Sequence, residues 1–459
     1  MKIIIDLQGA QATHMKRGIG RYSLSFTKAL IENAKHHEVL IALNGSFPEA
    51  INYIRFELDN LLPQENIRVW HPFPSIAGIN LANASRTSVA QKLREAFLAS
   101  LKPDIVHISS LFEGFVDDAV TSIGTQEPSL ITSTTLYDLI PLLHREIYLK
   151  NPILQHWYEQ KLDHLRRTQL YLAISDSSRN EAIEYLNASE EMVINVSTAA
   201  DPHFQPIDVD AQTKKSVCQT YGIIKPFILY AGGIDPRKNI SGLIQAFSLL
   251  PHELQKKYQL VIVCVIEDHQ RVILKNECAS KKLNSQDVIF TGHVPEKDLV
   301  LLYNSCDLFI FPSWHEGFGL PALEAMACGA ATIAGNLSSL PEVIGRADAL
   351  FDPHSPQSIA NKITKTLTDL SFQQSLKEHA LEQAKKFSWG KSAKIAIDAF
   401  EAIHEKNHRP ISTSTASSQN RLLQALRATK NVSENLLEIA QAISFNEPNS
   451  FQKRLFIDI

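Results

Sequence analysis

Among the 459 residues no apolar run reaches the roughly 18 positions that a membrane helix needs. The stretch LVIVCVI at Leu260–Ile266 has the length of a buried strand. The N-terminus passes directly into KIIID, without the basic and apolar regions of a secretory signal. Neither sign of charge is in large excess: 45 Lys and Arg against 49 Asp and Glu leave a net charge of -4. That balance argues against nucleic acid or an anionic lipid surface held by bulk electrostatics. Cysteines are few and odd in number, and Cys218, Cys264, Cys278, Cys306 and Cys328 form no CxxC pair. Four of them read as small buried hydrophobes in strand or helix patterns, which points to a reducing compartment. The expected location is therefore cytoplasmic, with room for peripheral attachment to the inner face of the plasma membrane through a partner protein or further domain. No metal-ligand cluster and no Asp-x-Asp strand-end motif stands out, so neither a metal nor a cofactor is expected.

What is present is alternation. Short apolar runs, such as Lys2–Asp6, Glu38–Leu43, Ile67–Trp70 and Asp104–Ser109, are separated by amphipathic segments such as Gly20–Asn33 and Pro152–Arg167. The pattern predicts βαβ units around mostly parallel sheets. It breaks at Ser197–Thr213, rich in Pro, Asp and small residues, and restarts with strands at Phe227–Ala231, Gln259–Val265, Val288–Thr291, Leu308–Pro312 and Ala331–Ala334. The expected class is α/β, with two doubly wound, Rossmann-like domains (1–204 and 205–388) facing a cleft and a returning helix at 389–405. Ligands of such sheets sit at the strands' carboxyl ends. A serine-rich linker is placed at 406–420 and a helical tail at 421–459. The last residues, KRLFIDI, repeat the character of MKIIIDL at the start, and read either as an edge strand of the second domain or as the opening of a second module.

Four stretches carry chemistry. In HEGFGLPALEA (His315–Ala325) two acids, Glu316 and Glu324, flank a glycine-rich turn and a helix start. Backbone amides at such a terminus attract an anion. Acids on either side suit the hydroxyls of a sugar and a ribose. Taken singly, Glu324 would also complement the helix dipole, and Glu316 would be a solvated turn acid whose replacement costs little stability. YAGGIDPRKN (Tyr230–Asn239) presents Arg237 and Lys238 after a strand and a glycine pair, where two cations would neutralise a departing diphosphate. RGIGRYS (Arg17–Ser23) brings Gly18 and Gly20 to the first helix start, without the third glycine of a dinucleotide fingerprint. TTLYDLIP (Thr134–Pro141) ends a strand with Asp138, and His293 in FTGHVP lies at an edge where a nucleotide base would sit.

EGFGLPALE resembles the E-x7-E motif of retaining family 4 glycosyltransferases of GT-B fold, and AMACGAATIAGNLSSLPEVIG (Ala325–Gly345) is similar to the same family. The resemblance implies that Glu316 contacts the donor sugar near the reacting centre and Glu324 binds the ribose. It also implies that amides of Phe318, Gly319 and Leu320 hold sugar and phosphate oxygens. Family members often carry an Arg directly after the glycine and a Lys five residues on. Lys238 fits, whereas Gly233 stands in the Arg place, so Arg237 is expected to supply the second cation. Many relatives have His-Asp where this chain has Tyr137-Asp138, which leaves Asp138 to orient hydroxyls. MKIIIDLQGAQ, YDLIPLL and DPRKN look most like the N-terminal module of bacterial polymannose O-antigen mannosyltransferases. That likeness implies GDP-mannose as donor and an oligosaccharide or lipid-linked glycan as acceptor. The alternatives are another GT-B enzyme, such as a different hexosyltransferase or a sugar-nucleotide epimerase, or a non-catalytic scaffolding module.

Overall fold

The computed structural model describes residues 1–13, 15, 18–125 and 129–407. The described residues form two compact units, one of Met1–Ile174, Ser178–Ser197 and Trp389–Asn407, the other of Ser175–Ser177 and Thr198–Ser388.

The first unit is built on β1 (Lys2–Asp6), β2 (Glu38–Asn44), β3 (Ile67–Trp70), β4 (Ile105–Ile108), β5 (Thr132–Leu136), β6 (Leu170–Ala173) and β7 (Val193–Asn195). These strands make one sheet in the order β3-β2-β1-β4-β5-β6-β7, and every pairing is parallel. Sheets of this kind bury both faces, which is why Ile3, Ile4 and Ile5 are all buried in succession. Three helices matter below: α1 (Gly18–Asn33), α2 (Ala84–Ser100) and α3 (Pro152–Leu165). The start of α3 is capped by Asn151, whose side-chain oxygen accepts from the amides of Ile153 (2.9 Å) and Leu154 (3.3 Å), with Pro152 in the first turn.

The second sheet contains β8 (Phe227–Ala231), β9 (Gln259–Val263), β10 (Val288–Phe290), β11 (Leu308–Phe311), β12 (Thr332–Gly335) and β13 (Leu350–Phe351). Its order is β10-β9-β8-β11-β12-β13, again parallel. Both orders are doubly wound. β13, with two residues, is too short to leave a pattern in the sequence. A short helix, α4 (Leu320–Ala327), follows β11. The change of unit comes at Ser197/Thr198 and not at 204/205, because Phe204 packs into the second core with its ring 6.0 Å from Tyr303.

The final described helix, α5 (Trp389–Asn407), belongs to the first unit. Trp389 meets Tyr22 of α1 edge-on at 5.2 Å. The His107 ring of β4 lies 5.9 Å from Phe26 of α1 and 5.8 Å from Phe400 of α5. The linker expected over 406–420 therefore begins inside a helix that runs to Asn407. The remainder of that linker and the tail expected at 421–459 lie outside the described residues. Among the described residues no helix is long and apolar enough to cross a membrane.

Candidate functional site

All four residues of β11 are buried, and the strand delivers the chain through Pro312 and Ser313 into the turn that precedes α4. Gly319 closes that turn at φ 104°, and a Cβ there would meet Leu340 Cδ2 at 2.7 Å, so the position requires glycine. The helix opens at Leu320, one residue before the expected start, with Pro321 in its first turn where a missing N–H is tolerated.

Glu316 is 5% exposed and so is not a solvated turn acid. Arg237 Nη1 donates to its Oε2 at 2.6 Å and Lys238 Nζ donates to its Oε1 at 2.6 Å. Burial alone would raise this carboxyl. The Lys238 ammonium and the Arg237 guanidinium outweigh burial and bring it down to about 2. Burial draws the Lys238 ammonium below its usual range, against the pull of Glu316. The Lys238 Nζ also stands 5.2 Å from the centroid of the Phe311 ring.

The backbone around this triad is tied down at several points. Arg237 Nη1 donates to the His315 carbonyl at 2.9 Å, and the Trp314 amide donates to the Arg237 carbonyl at 3.0 Å. Asn239 is left-handed at φ 58°, and its Nδ2 donates to the carbonyls of Pro312 (3.2 Å) and Pro353 (2.6 Å). It thereby fixes the short 3-10 turn Pro236–Lys238 against the end of β11. From the other side, Ser338 Oγ accepts from the Glu316 amide at 2.9 Å. Ser339 Oγ donates to the carbonyls of Glu316 (3.0 Å) and Phe318 (2.8 Å). Asn239, Ser338 and Ser339 were not singled out from sequence. The string SSLP, a serine pair before a helix-starting proline, was the available signal.

Glu324 is 3% exposed on α4 and accepts from the Tyr303 hydroxyl through Oε2 at 3.2 Å. At Gly233, whose carbonyl accepts from the Tyr230 hydroxyl at 2.7 Å, nothing lies within 4 Å of where a Cβ would stand. His293 is exposed just past Gly292 (φ 76°) in the loop after β10, two strands from β8 in the sheet order. The structure thus gathers Glu316, Arg237 and Lys238 beside the Phe318–Leu320 turn, and leaves His293 apart from them.

The remaining candidates belong to the first unit. Gly18 is exposed and opens α1, with nothing within 4 Å of a Cβ, while Gly20 is buried one turn in. Arg17 lies outside the described residues. Asp138 follows β5, and its Oδ1 accepts from the Ile140 amide at 3.0 Å. Tyr137, standing where relatives often have His, donates to the Ser109 carbonyl at 3.0 Å and meets Ser23 Oγ at 3.0 Å. Burial pushes its phenol well above the usual range, so it is a fixed neutral group. Among the described residues no group of three or more His, Cys, Asp or Glu is placed to hold a metal.

Comparison with known proteins matches residues 223–386, which contain this cluster, to the glycosyl transferases group 1 family. The serotype-specific mannosyltransferase WbdA of Escherichia coli is 39% identical across 100% of this chain and 55% of its own length. The chain therefore spans about half of that relative. The O-antigen chain mannosyltransferase B of Escherichia coli is 32% identical across 59% of this chain and 70% of its own length. Among solved structures, sucrose-phosphate synthase of Thermosynechococcus elongatus superposes with a TM-score of 0.65 at 19% identity, covering 88% of this chain and 99% of its own. Anabaena Alr3699/HepE in complex with UDP and glucose gives 0.64 at 15% identity, covering 88% and 100%. These structures share the GT-B fold with it. From the site, the fold and these likenesses together, the chain belongs to the group 1 glycosyl transferases.

Proposed function

We propose that the chain moves a mannosyl group, with retention of configuration, from GDP-mannose to an oligosaccharide or lipid-linked glycan in O-antigen synthesis. The observation that carries the reading is the buried triad of Glu316, Lys238 and Arg237 beside the amides of Phe318, Gly319 and Leu320. The mannosyltransferase names of relatives at 39% and 32% identity support the sugar.

In this reading the donor's diphosphate lies on the α4 terminus and beside the two cations, which exchange part of their interaction with Glu316 for the phosphates. Glu316, ionised throughout, accepts a hydrogen bond from a hydroxyl of the donor sugar. Glu324 accepts from the ribose. The acceptor hydroxyl oxygen bonds to the anomeric carbon on the face from which the bond to the phosphate oxygen breaks. The hydroxyl proton passes to that departing oxygen, and GDP leaves with its charge stabilised by Arg237 and Lys238. Asp138 is assigned to hydroxyls, Gly18 and Gly20 to a phosphate, and His293 to a base. Attachment at the inner face of the plasma membrane, through a partner or further domain, goes with a lipid-linked acceptor.

A panel of radiolabelled nucleotide sugars incubated with short mannosides tests the reading. The expected result is label transfer from GDP-mannose to the mannoside. Transfer from another nucleotide sugar alone corrects the donor, and isomerised free nucleotide sugar without transfer overturns the reading.

A further inference from the structure

The first unit has a cavity built from groups that the proposed reaction does not use. It lies open between α2 and α3 with a volume of about 300 Å³, the low end of the range for ligand pockets. One wall is the indole of Trp157 on α3. Three contacts border that ring, one of them the Lys161 Nζ at 5.5 Å from its centroid. Phe115 stands 5.3 Å from it, and a Cβ at Gly78 would meet its Cδ1 at 2.6 Å, so glycine there lets the loop close on the ring. Around the indole the lining is mainly neutral and hydrogen-bonding: Asn80, Thr87, Ser88, Gln91 and Gln160.

Beneath this opening, and sharing Thr87, Gln91, Trp157 and Gln160 with it, is a smaller void of about 30 Å³ walled by Glu113 and Lys161. That is room for one water or one ligand hydroxyl. Lys161 Nζ donates to the Thr121 carbonyl at 2.8 Å, and Glu113 Oε1 accepts from Ser110 Oγ at 2.8 Å. The floor thus holds a donor and an acceptor, and burial draws both towards neutrality, Lys161 down to about 7 and Glu113 up to about 7. At the rim Asp163 pairs with Arg166 at 2.9 Å, and Arg167 Nη1 donates to the Ile123 carbonyl at 3.2 Å. The mostly uncharged lining offers little to an anion, and a lipid tail would have to strip amides and hydroxyls of water. A polyhydroxylated ring meets both demands, with its C–H face on the indole and its hydroxyls on the amides.

We infer that the groove between α2 and α3 is a saccharide site for a neutral oligosaccharide, separate from the Glu316 cluster, and that it holds inner sugars of the growing glycan. This rests on the glycan acceptor of the proposed function. The experiment is calorimetric titration of the full chain, without donor, with α-mannotetraose and with maltotetraose. The variants are Trp157→Ala, which removes the platform, and Ser88→Trp, which fills the groove from α2.

The expected result is binding of mannotetraose by the parent that weakens about tenfold or more in both variants, while transfer to a mannose disaccharide stays within about twofold. If maltotetraose binds in place of mannotetraose and is lost in both variants, the groove stands and the mannose reading falls. If mannosyl transfer is confirmed but both variants bind mannotetraose as the parent does, the groove is not a sugar site. Should Trp157→Ala melt at markedly lower temperature, Ser88→Trp decides alone, because it adds volume to an open cavity and removes no core contact.

Discussion

At the scale of single residues, the structure changes what a substitution at Glu316 means. A solvated turn acid would be replaceable at little cost to stability. Here the carboxylate is buried and salt-bridged on both oxygens. Glu316→Ala removes the close carboxylate of the Lys238 and Arg237 side chains, 12% and 20% exposed, and leaves Arg237 the longer contact to Asp235 at 3.5 Å. Breaking a buried pair by removing one partner costs on the order of 3–5 kcal/mol, so the melting temperature is expected to fall. Glu316→Gln keeps the volume and some hydrogen bonding, and is the better probe of chemistry. Loss of a group that acts chiefly in the transition state should lower transfer by some 10²–10³. Transfer by Glu316→Gln within threefold of the parent would sink the assignment. Lys238→Ala is expected to raise the donor KM and lower kcat together, since charge grows on the diphosphate as its bond breaks. EDTA should leave the parent's activity largely intact. Full loss on chelation, restored by Mg²⁺ or Mn²⁺, would show that a divalent ion supports departure.

At the scale of elements, much of the framework was legible. Lys2–Asp6, Ile67–Trp70 and Phe227–Ala231 fall where the apolar runs place them, and α3 starts at Pro152 as the pattern expects. Local pattern reports backbone state and capping, so it also found the turn between β11 and α4. It does not report which side chains from distant segments meet. The partners of Glu316 lie 78 and 79 positions away, and the grip of Ser338 and Ser339 on that turn depends on a left-handed serine. Gly18 and Asp138 were legible as a helix start and a strand end, but their chemical roles were not. His107 shows the same limit. A lone histidine near a strand end more often satisfies a structural bond than acts chemically, but its partners are not legible: in β4 it is packed between α1 and α5 and hydrogen-bonded to Ser133 and Thr135, each at 3.2 Å. Burial lowers it to about 3. A depressed histidine contributes stability that is complete above its ordinary value near 6.5 and is lost as pH falls towards 3. One proton gives a slope of about 1.4 kcal/mol per pH unit in that window. His107→Gln should flatten this part of the profile, measured by urea unfolding at pH 7, 5 and 4. An unchanged slope would mean that His107 does not titrate with unfolding.

At the scale of the whole molecule, every proposed site residue precedes α5, which makes the last part of the chain separable by experiment. α5 contributes Trp389 to an aromatic cluster with Tyr22 and Phe26 of α1, and Phe400 to the packing around His107. It is thus part of the first unit's core, although it follows the second unit in sequence. Ending the chain at Phe387 removes that packing and exposes α1, so the protein should aggregate or melt at lower temperature and lose transfer. Deleting Ser412–Ile459 removes none of it. With transfer to a short soluble mannoside as readout, that deletion should retain nearly full activity and the parent's melting temperature. A long lipid-linked acceptor is the sharper case, since any contribution of those residues to acceptor delivery would appear there and not with the short one. If removing Ser412–Ile459 unfolds the protein or abolishes transfer to the short mannoside, the segment is part of the catalytic fold. The independence argued from the packing of α5 is then wrong.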